Sequence, residues 1–379
     1  MNVKERIVFY VFENWLFKRK TLILTGARQV GKTTFLQEIL KGHEDVLFVN
    51  ADEQRVRQLF EDASIPNLKA IIGSNKILVI DEVQRIENPG LVLKLLHDSF
   101  PDKQIIATGS SALEISDRIF EPLTGRHLLF HMYPFALAEL YPKKTSFQVA
   151  EDLPFHLVYG MYPEITQNRG SAELLLKNIA NQYLYKDVLI WKDIRKPDIL
   201  QKLLQLLAYQ VGSEVSIHEL SKTLKIKWET IENYIDLLEK SFVIFRLGAF
   251  SNNPRKEVSK MTKIYFWDNG IRNAVIEDFD LLPLRNDVGQ LWENFLISER
   301  MKMNSFLGKN RKVYFWRNYN QAEVDFIELD KKQLNAFEIK WKIDSKDKIS
   351  RAFLNLYPDA VTKVLHPNNF MEFCGKDEF

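Results

Sequence analysis

Apolar positions recur along the chain in two rhythms. Val3, Ile7, Val8, Val11, Phe12, Trp15 and Leu16 fall at helical spacing and predict an amphipathic helix over residues 2–20. Short apolar runs of strand length follow at 22–25, 46–50, 77–80, 105–108 and 128–131, separated by helical stretches. Such alternation predicts an α/β domain with a parallel sheet and helices on both faces. Tyr133-Pro134-Phe135 closes it, and the cluster from Tyr159 to Glu164 breaks the helices on either side. Residues 172–210 are helical, with a break near Pro197. Ser216 then caps one short helix, Trp228 opens another, and 242–247 and 263–267 read as paired strands, together a winged helix-turn-helix. Beyond a helix at 287–303, charged and apolar residues alternate at 323–327 and 336–341, the pattern of two strands joined by a hairpin around Asp330-Lys331-Lys332. The expected domains are 1–140, 141–211 (a helical connector), 212–284 (the winged helix) and 285–379.

Chemistry enters just after the first strand. Gly26-Ala27-Arg28-Gln29-Val30-Gly31-Lys32-Thr33-Thr34 is a complete G-x-x-x-x-G-K-[ST] phosphate loop between a strand and a helix. Its glycines let the backbone wrap a polyphosphate, Lys32 brings charge to the outer phosphates, and the Thr33 hydroxyl suits Mg²⁺. The run at 77–80 delivers Asp81 and Glu82 to the sheet edge where ligands sit, Asp81 to hold Mg²⁺ and Glu82 to polarise the attacking water. The N-K-x-D pattern that reads guanine is absent, which favours ATP. Arg126 can be read as an arginine finger acting in cis or on a neighbouring subunit, or as a solvated or salt-bridged side chain.

Charge separates the remaining segments. The 379 residues carry a net charge of +2, so an argument for nucleic acid must rest on local patches. Within the second winged-helix helix, Glu229, Glu232, Asp236 and Glu239 face only Lys240, a poor match for DNA phosphates. The adjoining loop has Arg255, Lys256, Lys260 and Lys263 against Glu257, so DNA contact is expected there, with a domain-packing spacer as the alternative. From Arg300 to Arg317 basic residues mix with Phe306, Tyr314, Phe315 and Trp316, as in a nucleic-acid surface or a strand edge guarded by lysine. Cys374 is the single cysteine, and no apolar run reaches a membrane span, so a cytoplasmic protein is expected.

Two resemblances complete the picture. Glu293, Asp325, Glu338 and Lys340, an acid on a helix, an acid on one strand and E-x-K on the next, resemble PD-(D/E)xK nucleases of the restriction-endonuclease-like fold. There the carboxylates hold Mg²⁺ and the lysine orients water. The phosphate loop, Asp81-Glu82-Val83-Gln84, Thr108-Gly109-Ser110-Ser111, Gly125-Arg126, Tyr162-Pro163-Glu164, Ile264 to Asp268, Trp292-Glu293-Asn294, Glu323-Val324-Asp325 and Glu338-Ile339-Lys340 resemble a bacterial and archaeal family of AAA-family ATPases with a C-terminal domain of unknown function. That resemblance implies an AAA-type P-loop fold with sheet order 5-1-4-3-2, ATP and Mg²⁺ as ligands, and Ser110 as γ-phosphate sensor. Two readings stay open for the C-terminal half: a DNA-binding or nuclease module controlled by nucleotide, or an inert scaffold in a switch that assembles with a homo-oligomer or protein partner.

Overall fold

A computed structural model describes residues 6–109, 121–142, 145–181, 196–251, 262–309, 311–344 and 348–375. Ser110, Lys186-Asp187 and the wing residues Arg255, Lys256 and Lys260 lie outside these. The chain forms two compact units, the first being residues 1–133 with 240–242 and the second the remainder.

In the first unit β1 (Thr21–Gly26), β2 (Val46–Asn50), β3 (Ile77–Asp81), β4 (Gln104–Gly109) and β5 (His127–Met132) build a wholly parallel sheet. Its order is β2-β3-β4-β1-β5, which from the β5 edge reads 5-1-4-3-2. The three inner strands are buried at every position and the two edge strands mostly half-buried, as expected for a parallel sheet covered on both faces. Helices α1 (Val8–Glu13), α2 (Lys32–Ile39), α3 (Gln54–Leu59), α4 (Ile65–Ile72) and α5 (Pro89–Ser99) surround it. Ile23, Leu78, Ile80 and Ile105 pack with Leu68 and Ile72 of α4 and Leu93 and Leu96 of α5. Because the strands are parallel, Gly26, Asp81 and Gly109 end at one edge of the sheet. α1 is shorter than the apolar spacing suggests. After Glu13 the chain turns tightly, and the buried Gln104 side chain accepts from Phe17 N at 2.7 Å and donates to Lys20 O at 3.0 Å, which holds 17–20 out of the helix.

The second unit holds a six-stranded sheet, β11-β10-β9-β8-β6-β7. Its strands are β6 (Ile244–Ala249), β7 (Thr262–Phe266), β8 (Lys312–Arg317), β9 (Glu323–Asp330), β10 (Gln333–Ile339) and β11 (Val361–Leu365). The β9–β10 hairpin forms as the alternation requires, with Phe337 opposite Phe326. The β6–β7 hairpin does not stand apart as a wing: β6 pairs in parallel with β8, so segments 212–284 and 285–379 share one sheet. Helices α6 (Leu137–Leu140), α7 (Ser146–Tyr159), α8 (Pro163–Gln167), α9 (Ala172–Ala180), α10 (Pro197–Tyr209), α11 (Ile217–Leu224), α12 (Trp228–Lys240), α13 (Asn269–Ile276), α14 (Val288–Phe306) and α15 (Arg351–Leu356) complete it. Pro197 opens α10 instead of interrupting a longer helix.

At the centre of the helical layer is α13, buried from Asn269 to Val275 and in contact with α7, α9 and α10. A helix buried on all sides normally reads as apolar, yet this one carries Asn269, Arg272 and Asn273. Each is spoken for: Asn273 Nδ2 donates to Val158 O (2.8 Å), Arg272 Nε to Ala208 O (2.8 Å) and Asn269 Nδ2 to Leu291 O (2.9 Å). Asp268 caps the helix through Ile271 N and accepts from Met161 N at 2.7 Å, fastening the turn before α8. Asn294 of α14 binds both backbone groups of Phe266, at 2.7 and 3.0 Å, and Asn269 Oδ1 at 2.6 Å.

Asn294→Ala removes the partner of three buried polar groups, and an orphaned buried group costs about 1–3 kcal/mol. Urea denaturation followed by tryptophan fluorescence should show a loss of about 3 kcal/mol, whereas Tyr319→Ala, at an exposed side chain, should change stability by less than about 0.5 kcal/mol.

Candidate functional site

The phosphate loop leaves β1 where it has no room for a side chain. A Cβ at Gly26 would fall on the carbonyl oxygen of Met132, so the first loop residue must be glycine. Gln29 at φ 60° and Gly31 at φ 92° turn the backbone back on itself before α2, a conformation that gathers amide groups around an anion. Lys32, only 7% exposed, donates from Nζ to Gly26 O (2.9 Å) and Ala27 O (2.8 Å), which keeps its charge within the loop. Thr33 donates to Asp81 Oδ2 at 3.0 Å. Thus the first turn of α2 and the end of β3 are tied by the two side chains expected to share a cation.

Asp81 has a second hydroxyl partner that sequence reasoning missed. Thr108 donates to Asp81 Oδ1 and accepts from Glu82 N at 3.3 Å, linking the ends of β3 and β4. The signal was present: a threonine ending a buried apolar run, beside the Ser110 assigned as sensor. Glu82 sits in the left-handed region at φ 55° and accepts from Gln84 Nε2 at 2.5 Å. Hydroxyl and carboxylate oxygens of this kind are the donors Mg²⁺ prefers, so the residues present fit that ion.

Arg126 stands elsewhere. Its carbonyl accepts from Thr21 N at the start of β1, the opposite end of the strand from Gly26, and its Nε pairs with Asp98 at 2.7 Å. Strand rise places that edge roughly 17 Å from the phosphate loop, so a finger acting within its own chain is corrected to a salt-bridged arginine.

In the second unit Glu293, Asp325, Glu338 and Lys340 do converge. Lys340 Nζ lies 2.6 Å from Glu338 Oε1 and 3.9 Å from Asp325 Oδ2, and Asp325 also accepts from Ile339 N at 2.7 Å. Glu293, from α14, accepts from Tyr265 OH at 2.7 Å. The unexpected member is Lys263 of β7. Assigned to the basic wing, it is instead 2% exposed, with Nζ 3.3 Å from Glu293 Oε1 and paired to Glu323. Burial alone would lower its pKa, but the charges of Glu293, Glu323 and Asp325 outweigh that and raise it. Among the described residues no three acid, histidine or cysteine side chains are arranged to hold a metal ion. Within the cluster, Asp325 and Glu338, the acids expected to hold a metal, share Lys340, and Lys263 sits against Glu293 and Glu323.

Four basic residues of the stretch from Arg300 to Arg317 are likewise ion-paired within the fold. Arg300 forks onto Glu328 at 3.0 and 2.7 Å, Lys302 pairs with Glu299 at 2.9 Å, Arg311 with Asp330 at 3.0 Å and Arg317 with Glu214 at 3.1 Å. Phe306, Phe315 and Trp316 are buried and β8 lies inside the sheet, so the stretch is not a sheet edge and its buried aromatics are not open to bases, while Lys312 stays exposed. The acidic face of α12 has a similar explanation, since Glu232, Asp236 and Glu239 surround Arg246 of β6.

Three successive segments of the chain match known domain profiles. Residues 18–141 match the profile of an AAA domain, 150–282 a domain of unknown function (DUF8612), and 288–374 another (DUF4143). An uncharacterized protein of Methanocaldococcus jannaschii is 28% identical over 86% of this chain and 75% of its own. One of Mycobacterium tuberculosis is 26% identical over 86% and 71%. Among solved structures, the Walker-type ATPase of Pyrococcus abyssi aligns with 73% of this chain and 96% of its own, at 17% identity and a TM-score of 0.49. The amino-terminal unit is thus an AAA-type, nucleotide-binding domain, and no helix among the described residues is long and apolar enough to cross a membrane.

The acid cluster sets a pH dependence. Burial, then the charge of Asp325, raises Glu293 and Glu338 from 4.5 to about 7. The folded chain therefore holds protons that the unfolded chain has released, so this contribution is full below pH 4.5 and is lost as pH rises through 7. Stability measured by tryptophan fluorescence should fall by on the order of 2 kcal/mol between pH 5 and pH 8, and Glu338→Gln should flatten the slope.

Proposed function

We propose that this protein is an Mg²⁺-dependent ATPase, working as a nucleotide-controlled switch. The observation that carries this reading is the chain of side chains Thr33, Asp81 and Thr108, which joins the ends of three neighbouring elements around one buried carboxylate. Lys32 would contact the outer phosphates of ATP, the loop amides would cradle the inner ones, and Thr33 with Asp81 would hold Mg²⁺. Bound there, Mg²⁺ neutralises charge on the phosphates. Glu82, directly after Asp81, orients and polarises the attacking water. Thr108, bonded to both Asp81 and the Glu82 amide, is placed to pass a change at the γ-phosphate into β4, the role first given to Ser110. Arg126 remains a candidate finger only toward a neighbouring subunit.

For the second unit, Lys263 favours the inert-scaffold reading over an active nuclease. An ammonium buried between Glu293 and Glu323 puts a fixed positive charge beside the acids of the cluster, which works against a catalytic metal there. The fold keeps the arrangement of acids and E-x-K and serves as a platform for a homo-oligomer or a protein partner responding to ATP.

Glu82→Gln should retain ATP binding and lose turnover by about 100-fold or more, the usual size of a general-base effect, and Lys32→Ala should lose both; unchanged turnover in Glu82→Gln removes the assignment. Incubation of the purified protein with linear, branched and single-stranded DNA in Mg²⁺ or Mn²⁺ should give no cleavage above that of a Glu338→Ala, Lys340→Ala control. Metal-dependent cutting lost in that control would instead restore the nuclease.

A further inference from the structure

The far edge of the ATPase sheet, at the start of β1 and β4, carries a cleft of about 270 Å³ lined by Arg19, Lys20, Thr21, His97, Asp98 and Lys103 among others. Its charge is one-sided. Asp98, the acid in the lining, is neutralised by Arg126 at 2.7 Å. Lys20 Nζ donates only to a backbone carbonyl, Gly125 O at 2.6 Å, and Arg19 and Lys103 form no ion pair among the described residues. His97, bonded to Thr21 Oγ1 at 3.2 Å, is held toward its neutral form by burial, with Arg126, Lys20 and Arg19 reinforcing this against Asp98. The cleft therefore offers three uncompensated cations and a neutral imidazole.

The loop that supplies two of those cations is deliberately shaped. Phe17 and Arg19 both adopt left-handed backbone at φ 57° and 54°, which costs a non-glycine residue about 1 kcal/mol or more. Gln104, 2% exposed, maintains that conformation by spending both ends of its amide on Phe17 N and Lys20 O. What the loop displays is an aromatic and cationic sequence, Trp15-Leu16-Phe17-Lys18-Arg19-Lys20, with Trp15 39% and Phe17 46% exposed. Cations that follow a phosphate backbone, beside flat rings on which bases stack, are the two elements of single-strand recognition. Between 300 and 317, by contrast, Arg300, Lys302, Arg311 and Arg317 are ion-paired and Phe306, Phe315 and Trp316 are buried, whereas Trp15 and Phe17 face water.

We propose that this loop and cleft bind single-stranded nucleic acid, with backbone phosphates against Arg19, Lys20 and Lys103 and bases on Trp15 and Phe17. The contact lies on the ATPase unit, at the sheet edge opposite the phosphate loop, and does not depend on the assignment of Glu82 or on the fate of the acid cluster.

The test is fluorescence anisotropy of a labelled oligo-dT with the full-length chain between 50 and 200 mM KCl, with poly-glutamate as competitor and ATP turnover measured in parallel. Arg19→Ala with Lys103→Ala should weaken binding at least tenfold at low salt and reduce the salt slope by about 1.4, the change for two phosphate contacts on a single strand, with turnover unchanged. Arg19→Lys with Lys103→Arg should keep the affinity within about threefold, and Trp15→Ala with Phe17→Ala should weaken it with no change in slope. Absence of oligo-dT binding, equal binding by the charge-removed variant, or displacement by poly-glutamate as effective as by unlabelled oligo-dT would each overturn the proposal, the last by showing a surface for acidic protein segments.

Discussion

A charge or amide taken out of water must find a partner inside the protein, because leaving it unmatched costs more than most contacts return. Both units are arranged around that requirement. In the first, the buried Asp81 carboxylate collects a hydroxyl from the helix after the phosphate loop and another from the neighbouring strand, so the elements that must converge on a nucleotide are already fastened to each other. In the second, Asn294 fastens a strand and a buried helix to a third element, and Lys263 answers the carboxylates of α14 and β9.

The same requirement explains which features were legible in the sequence. Inner strands of a parallel sheet are covered on both faces, so 22–25, 77–80 and 105–108 had to be apolar and could be read directly. The phosphate loop was legible because its steric demands are local: glycine where Met132 O crowds the chain, and glycine again where α2 begins. The β9–β10 hairpin followed from alternation alone. Partnerships between distant residues leave no such trace. Nothing in the run from Arg300 to Arg317 reveals that Glu328, Glu299, Asp330 and Glu214 neutralise it, and nothing near residue 19 announces that Gln104 will hold the loop. Local charge was therefore read as surface where it was interior.

Site residues divide along the same line. Lys32, Thr33 and Asp81 meet because each is fixed by the end of a strand or the start of a helix, positions that sequence order determines. Arg126 was placed by proximity in sequence, and the parallel sheet sends the start of a strand to the edge away from the ligand. Thr108 was overlooked in favour of a neighbour two residues on, because a hydroxyl inside an apolar strand looks like tolerated polarity until the carboxylate beside it is seen.

The parallel pairing of β6 with β8 bears on how the protein is made. The segment matching one domain profile ends before β8 begins, yet the end of β6, at Gly248 and Ala249, has its second neighbour only when Tyr314 and Phe315 are present, and Lys263 has its carboxylates only when α14 and β9 are. During synthesis the earlier segment must emerge from the ribosome with an open strand edge and an uncompensated lysine and wait for the later one. The two segments are thus inherited as a pair: neither can be exchanged for a relative's version without carrying the matching half of the sheet.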